Sequence, residues 1–469
     1  MKQILSFLLA AFCIPAMAQQ VAPLPPLPTT SQLAWHETEY YWFTHFGPNT
    51  FTDKEWGLGD EAVDIFNPTD LDCRQWARLA KASGAKGIII TAKHHDGFCL
   101  WPSKYSTHTV RESKWRNGKG DVVKELSLAC KEYGLKFGVY LSPWDRNHPK
   151  YGTPAYNEVF VNMMKEIFTN YGPITEFWWD GANGEGPNGK KQVYDWPLFR
   201  ETIKKLSPNT VVFSDIGPQI RWVGNENGIV GTTNWNLLNV SGFTAGAGAP
   251  PKDTLNSGNM YGEKWIPAEC DVSIRPGWFY HKEEDEKVKS PETLFNLYLK
   301  SVGRGATMLL NVPPDRRGLI TQYDSASLIG FRKLREESFA NNLLAKSFVI
   351  VKNSNTGKIV KTLTDYKQAT YEKCTALSIQ FKELTAINTV VLREPIQLGQ
   401  RVISFSIVLK DADGNTIKEI AGTTIGRKRI ISFASVTAAK IEINIDNAKA
   451  TPLISEVGVY HINEQLIEQ

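Results

Sequence analysis

Cysteine is scarce and scattered. The 469-residue chain holds six. None forms a Cys-x-x-Cys pair or stands at zinc-ligand spacing from a histidine, which excludes a disulfide framework and a structural zinc site. Charge of one sign is also missing. Lys and Arg total 53 against 49 Asp and Glu, for a net charge of +4. With no long basic run, no nucleic-acid partner is expected. Long apolar runs are absent, since the segment from Ile4 to Ile14 is too short to cross a bilayer. Tryptophan is missing from the last third. All fourteen lie between Trp35 and Trp278, so the tail lacks the indole platforms on which a sugar-binding module stacks its ligand. It reads as a packing domain.

What is present describes a globular, exported protein. Apolar residues make up 42% and charged residues 22%. Met1-Lys2, the apolar Ile4 to Ile14 and the small-x-small Ala16-Met17-Ala18 have the order of a secretion signal, with cleavage before Gln19. The expected location is therefore periplasmic or extracellular. Removal of the signal leaves Cys73, Cys99, Cys130, Cys270 and Cys374, an odd set that reads as small buried side chains. The length calls for one barrel-sized domain and a smaller one.

A rhythm starts after a Pro/Thr/Ser-rich leader at residues 19–34. Strand-like runs at Tyr40 to Gly47, Gly87 to Ala92, Lys136 to Leu141, Glu176 to Trp179, Val211 to Ser214, Trp265 to Ser273 and Thr307 to Val312 alternate with helical spacing. The helices are expected over Leu71 to Ser83, Asp121 to Tyr133, Pro154 to Tyr171, Trp196 to Leu206, Pro291 to Gly303 and Gln322 to Asn341. Alternation on this scale means parallel βαβ units, enough of them for a (β/α)8-like, TIM-type barrel over residues 35–341. A strict count of eight does not follow, because Asn225 to Pro267 is long, irregular and rich in Gly and Asn. Over residues 342–469 short apolar runs separated by turns such as Asp411-Ala412-Asp413-Gly414-Asn415 predict an antiparallel β-sandwich. The fold class is α/β, a barrel followed by that sandwich.

In such a barrel the C-terminal strand ends share one face, and sites are built there. The polar residues at those ends are His45, His94, His95, the region from Tyr140 to Trp144 and Asp180, with Glu226 and Glu269 in later loops. Trp56, Trp101, Trp178, Trp179, Trp222 and Trp278 are expected around them. Paired carboxylates among indoles and imidazoles are equipment for cleaving a glycosidic bond: one attacks or stabilises the oxocarbenium-like centre, the other protonates the leaving oxygen. Aromatic faces suit the C–H side of a sugar ring and imidazoles suit its hydroxyls. A metal site at His94-His95-Asp96 is the rival reading. Adjacent residues on a strand point to opposite faces, so those histidines co-ligate only if the backbone turns between them.

Four motifs then resemble a known family. Phe43-Thr44-His45-Phe46-Gly47, Lys93-His94-His95-Asp96-Gly97-Phe98 with Trp101, Trp178-Trp179-Asp180-Gly181, and Leu310-Asn311-Val312-Pro313-Pro314-Asp315 with Gly318 are similar to the α-L-fucosidases of glycoside hydrolase family 29. The resemblance implies a retaining exo-hydrolase that needs no metal or cofactor and acts on a fucosylated oligosaccharide or glycoconjugate. It places Asp180 as nucleophile and His45, His94 and His95 on fucose hydroxyls. Glu55 and Trp56 touch the sugar; Tyr140, Trp178 and Trp278 form the pocket. Arg221-Trp222-Val223-Gly224-Asn225-Glu226 is similar to the acid/base segment of the subgroup that cleaves α-1,3 and α-1,4 linkages, which selects Glu226. Glu269 is the alternative acid/base; otherwise it would orient substrate or Arg275. A glycosidase for another sugar, a metal-dependent barrel hydrolase and a non-catalytic sugar-binding protein are the competing functions.

Overall fold

A computed structural model describes residues 21–467 except 246, 247, 346–348, 361, 366 and 368. The secretion signal read over residues 1–18 lies outside them. Eight strands close into a parallel barrel: β1 (Tyr40–Thr44), β2 (Gly87–Lys93), β3 (Lys136–Leu141), β4 (Glu176–Trp178), β5 (Val211–Ser214), β6 (Ile220–Trp222), β7 (Ala268–Ser273) and β8 (Thr307–Asn311), with β8 paired to β1. Side chains alternate across each strand. Tyr41, Phe43, Ile89, Tyr140, Trp178, Val211, Phe213, Ile220 and Leu309 fill the interior, and Trp35 from the helix Thr30–His36 joins them from below. Trp42, Ile88, Ile90, Val139, Phe177, Met308 and Leu310 face outward into the helical layer.

The helices begin and end where side chains can satisfy their orphan backbone groups. Asp121 accepts from Lys124 N at 2.9 Å and caps Val122–Tyr133, and Gly134 ends that helix at φ 66°, the left-handed conformation glycine adopts without strain. Its buried face is Val122, Val123, Leu126, Ala129 and Cys130. Burying a side chain the size of Leu126 contributes about 2 kcal/mol. Asp72 caps Cys73–Ala82 in the same way, accepting from Arg74 N and Gln75 N.

The eighth strand, β6, is the one the sequence did not reveal. Only residues 215–219 separate it from β5, with no helix between, although parallel neighbours usually need a crossover of a dozen residues or more. The link folds back along β5: Gln219 N donates to Val212 O at 3.2 Å and Val212 N to Gln219 Oε1 at 3.0 Å. Ile220 thereby re-enters opposite Phe213. Arg221, in the middle of β6, is buried and donates to Leu255 O at 2.8 Å, Trp235 O at 3.1 Å and Asn234 Oδ1 at 3.2 Å. It thus ties down the irregular excursion that follows, which holds the ribbon Leu237–Leu238 with Lys264–Trp265 and the short helix Lys252–Ser257.

Past the helix Gln322–Phe339 the chain becomes an antiparallel sandwich. Its main sheet runs Val349–Asn353, Ala376–Arg393, Arg429–Ala448, Val402–Lys410, Thr416–Thr423, and Glu456–Tyr460 pairs with the far half of Ala376–Arg393. Register shifts between Gln380 and Thr385 and between Ile387 and Thr389 bend the two longest strands. Ile379, Ile387, Val390, Phe405, Ile407, Ile441 and Val459 form a core of its own. The turn Asp411 to Asn415 closes a hairpin, with Asp411 N donating to Asn415 O at 3.0 Å. Cys73, Cys99, Cys130, Cys270 and Cys374 are free and buried. No helix among the described residues is long and apolar enough to cross a membrane.

Candidate active site

β1 runs directly into His45 and β2 into His94 and His95. Because both neighbouring histidines lie past the end of β2, strand alternation no longer separates them. Gly97 N donates to His94 O at 3.1 Å, and the turn brings the two ring centroids to 4.2 Å. The rest of that motif is scaffold. Lys93 is buried and pairs with Asp145 at 3.3 Å; Asp96 Oδ1 accepts from Phe98 N at 2.7 Å. Gly97 has φ 83°, and a Cβ there would stand 2.3 Å from Asp145 Oδ1, so no side chain fits.

The neighbours of each imidazole fix its role. Asn311, at the end of β8, donates Nδ2 to Ser273 Oγ at 2.9 Å and to Trp278 O at 2.7 Å. Its Oδ1 therefore accepts, from His45 N at 3.2 Å and His45 Nδ1 at 2.9 Å. That leaves His45 Nε2 as a free acceptor. His94 stacks on Tyr140 with centroids 5.7 Å apart. His95 Nδ1 shares a hydrogen bond of 2.8 Å with Ser142 Oγ, and its Nε2 lies 3.7 Å from Asp180 Oδ2. Burial lowers His45 and His95 to about 4 and His94 well below the usual imidazole range. All three rings are neutral at pH 7, suited to hydrogen bonding with hydroxyls.

Asp180 lies two residues past β4. Its Oδ1 accepts from Ala182 N at 2.7 Å, holding the turn, and its Oδ2 accepts from Tyr140 Oη at 3.0 Å. Gly181 is needed because Asp215 fills the space a Cβ would take, 2.2 Å from Asp215 Oδ2. Across the cavity mouth, Glu226 is exposed on the loop after β6 and accepts from Trp278 Nε1 at 3.2 Å. Trp278 is itself fixed by Glu55, whose Oε2 accepts from Trp278 N at 2.8 Å and whose Oε1 accepts from Phe279 N at 3.2 Å. His281 bridges Glu55 and Asp53 at 2.7 Å each.

His45, Glu55, Trp56, His94, His95, Tyr140, Trp178, Asp180, Glu226 and Trp278 line one cavity of about 200 Å³ together with Phe43, Ala182 and Asp271. A larger cavity, about 450 Å³, opens at the other end of the barrel, but its lining is mostly apolar, with Lys136 and Glu176 its charged groups. Among the described residues no three His, Cys, Asp or Glu are arranged to hold a metal.

The matching family model, alpha-L-fucosidase, covers residues 27–332. The chain belongs to the α-L-fucosidase family. As such it is a glycoside hydrolase. It is 43% identical to alpha-L-fucosidase 1 of Arabidopsis thaliana, over 93% of this chain and 88% of that one. Among solved structures it is similar to a putative alpha-L-fucosidase from Bacteroides ovatus, with 43% identity, a TM-score of 0.81, and coverage of 93% of this chain and 74% of that one. A family 29 fucosidase of Ruminococcus gnavus in complex with fucose is 30% identical with a TM-score of 0.84, over 96% and 97%.

Three expectations about the fucosidase site need correction. Glu269 is not in a loop: it is the second residue of β7, buried inside the barrel and absent from the cavity lining. Its carboxyl accepts from Tyr41 Oη and from Trp178 Nε1, the latter at 2.8 Å. Nor does it orient Arg275, which pairs with Asp324 at 2.7 Å and Asp285 at 2.9 Å. Trp101 and Trp179 face the helical layer, Trp101 Nε1 donating to Glu166 at 3.0 Å and Trp179 packing on Trp196. The alternation that turns Trp178 inward turns Trp179 outward. Asp271 was overlooked. It follows Glu269 by two residues on β7, so strand periodicity alone puts both carboxyls on the inner face.

Proposed function

We propose that this α-L-fucosidase removes terminal α-1,3- or α-1,4-linked L-fucose from branched glycans with retention of configuration, and that the secretion signal at residues 1–18 exports it. Asp180 is the nucleophile and Glu226 the acid/base. The reading rests on one arrangement: Asp180, Glu226 and three neutral imidazoles border the same cavity of about 200 Å³, a volume suited to one sugar ring.

In the first step Asp180 attacks the anomeric carbon while Glu226 gives its proton to the departing oxygen. The glycosidic C–O bond breaks and a fucosyl ester forms. In the second step Glu226 takes a proton from water, the water oxygen attacks the same carbon, and Asp180 leaves as carboxylate. Tyr140 and Ala182 N hold Asp180 at both oxygens, and Trp278 aims Glu226. His45, His94 and His95 receive the ring hydroxyls. For this chemistry the two carboxyls approach to about 5–5.5 Å in the closed site.

The test has two parts. Asp180→Ala should abolish release of the chromophore from an aryl α-L-fucoside. Glu226→Ala should retain part of that activity and be rescued by azide, whereas rescue in Glu269→Ala instead would reassign the acid/base. Preferential cleavage of α-1,2-linked oligosaccharides over the α-1,3 and α-1,4 isomers would overturn the linkage. A purified protein whose N-terminus is still Met1 would overturn export.

A further inference from the structure

Four carboxyls line the cavity, those of Glu55, Asp180, Glu226 and Asp271, and the last takes no part in the proposed mechanism or in holding Trp278. Asp271 points inward from β7, opposite Leu309 on β8, and lines the same space as Asp180, Glu226 and Trp278. The residue is 3% exposed, and its Oδ1 has no hydrogen-bond partner. A buried polar atom left unpaired is destabilising, and one that belongs to a cavity-lining residue calls for a cause. Here the carboxyl borders the cavity, where a rotation about its Cβ–Cγ bond would bring either oxygen to a substrate hydroxyl.

On the reading that the ligand is a terminal fucose, we propose that Asp271 is a further substrate-contacting residue, its carboxyl exchanging a hydrogen bond with a hydroxyl of the sugar. The side chain sits between Glu269 on its own strand and Glu226 at the cavity mouth. Burial first, then the charges of Glu269 and Glu226, raises its carboxyl well above the usual range. A neutral carboxyl can donate or accept, so it meets a sugar hydroxyl in either orientation. A further anion near Asp180 is thereby avoided.

Hydrolysis of an aryl α-L-fucoside, competitive inhibition by L-fucose and the thermal unfolding midpoint, measured for wild type, Asp271→Asn and Asp271→Ala, test the assignment. Asp271→Ala should lower kcat/KM about tenfold or more and weaken L-fucose inhibition by a similar factor, while the unfolding midpoint stays level or rises because the unpaired oxygen is gone. Asp271→Asn keeps a hydrogen-bonding amide in place and should lose only severalfold. Unchanged kinetics and inhibition in Asp271→Ala would overturn the assignment. So would equal losses in both variants with a lowered unfolding midpoint, the signature of a packing role. A wild-type enzyme inert toward the fucoside would instead overturn the fucosidase reading on which this one rests.

Discussion

Tyr140 donates its phenolic hydrogen to Oδ2 of Asp180 at 3.0 Å, from a ring that stacks on His94 on one side and tilts against Trp178 on the other. Among the described residues this hydroxyl and Ala182 N are the hydrogen-bond donors to Asp180, and the imidazole of His95, 3.7 Å away, is held neutral by burial.

Tyr140→Phe removes the side-chain donor and keeps the stack. A hydrogen bond to a charged group contributes about 1.5–3 kcal/mol, so kcat on an aryl α-L-fucoside should fall by roughly ten- to a hundredfold. Because the ring remains, the unfolding midpoint should move little. Wild-type kcat in the variant would show that Tyr140 is only a wall.

Trp278 links both sides of the mouth, holding Glu226 by its indole and held by Glu55 through its backbone. Trp278→Phe should release Glu226 without disturbing Asp180. The loss should therefore depend on the leaving group: about tenfold for an oligosaccharide, whose alkoxide must be protonated, and less for a nitrophenyl fucoside, whose leaving group departs unaided. Equal losses on both substrates would mean that Trp278 binds the sugar and does not aim the acid.

Most of the barrel could be read from the chain because its strands are short apolar runs stopped by Gly or by a helix signal. The helix Trp196–Leu206 and the strand Val211–Ser214 have the boundaries read from sequence. Strand β6 escaped because Ile220–Trp222 is three residues with a central arginine and no preceding helix, and its place is set by the Gln219 link rather than by any pattern. His45, His94, His95, Tyr140 and Asp180 were legible as strand ends; Trp56, Trp178 and Trp278 as the aromatics around them, Glu226 as a later-loop acid, and Glu55 only through the family resemblance, and all ten border one cavity. What failed was facing. Trp101 and Trp179 face the helices and Glu269 lies on a strand inside the barrel; a motif says which residues are near but not which way each points. Asp271 is the same lesson from the other side.

Beneath the cavity Glu176 and Glu269 form a buried acid pair, with Trp35 Nε1 donating to Glu176 Oε2 at 2.9 Å. Burial raises Glu176 to about 7, and burial with the charge of Glu176 raises Glu269 well above the usual range. Both acids thus bind protons more tightly folded than unfolded. Their contribution to stability is complete below about pH 4.5 and is lost as pH climbs through 7. The urea midpoint should accordingly decline between about pH 5 and 8, and Glu176→Gln should flatten that decline. A decline of equal slope in the variant would locate it elsewhere.

The barrel and the sandwich are joined at Glu39, just ahead of β1 and at the opposite end of that strand from His45. Its carboxylate meets Lys428 Nζ at 2.6 Å and Arg427 Nη2 at 3.3 Å, both from the sandwich, and accepts from Tyr298 Oη at 3.1 Å. The carboxylate is 21% exposed and Lys428 only 10%, so removing the acid leaves Lys428 poorly solvated, while Arg427 keeps Glu37 at 2.7 Å. Breaking such a pair costs about 3 kcal/mol or more, against a marginal total stability. Glu39→Gln should lower the thermal midpoint by several degrees, while the activity of the folded fraction at low temperature stays at the wild-type level, because Glu39 does not border the cavity. Activity lost at a temperature where the variant remains folded would mean that the junction with the sandwich also shapes the catalytic end of β1.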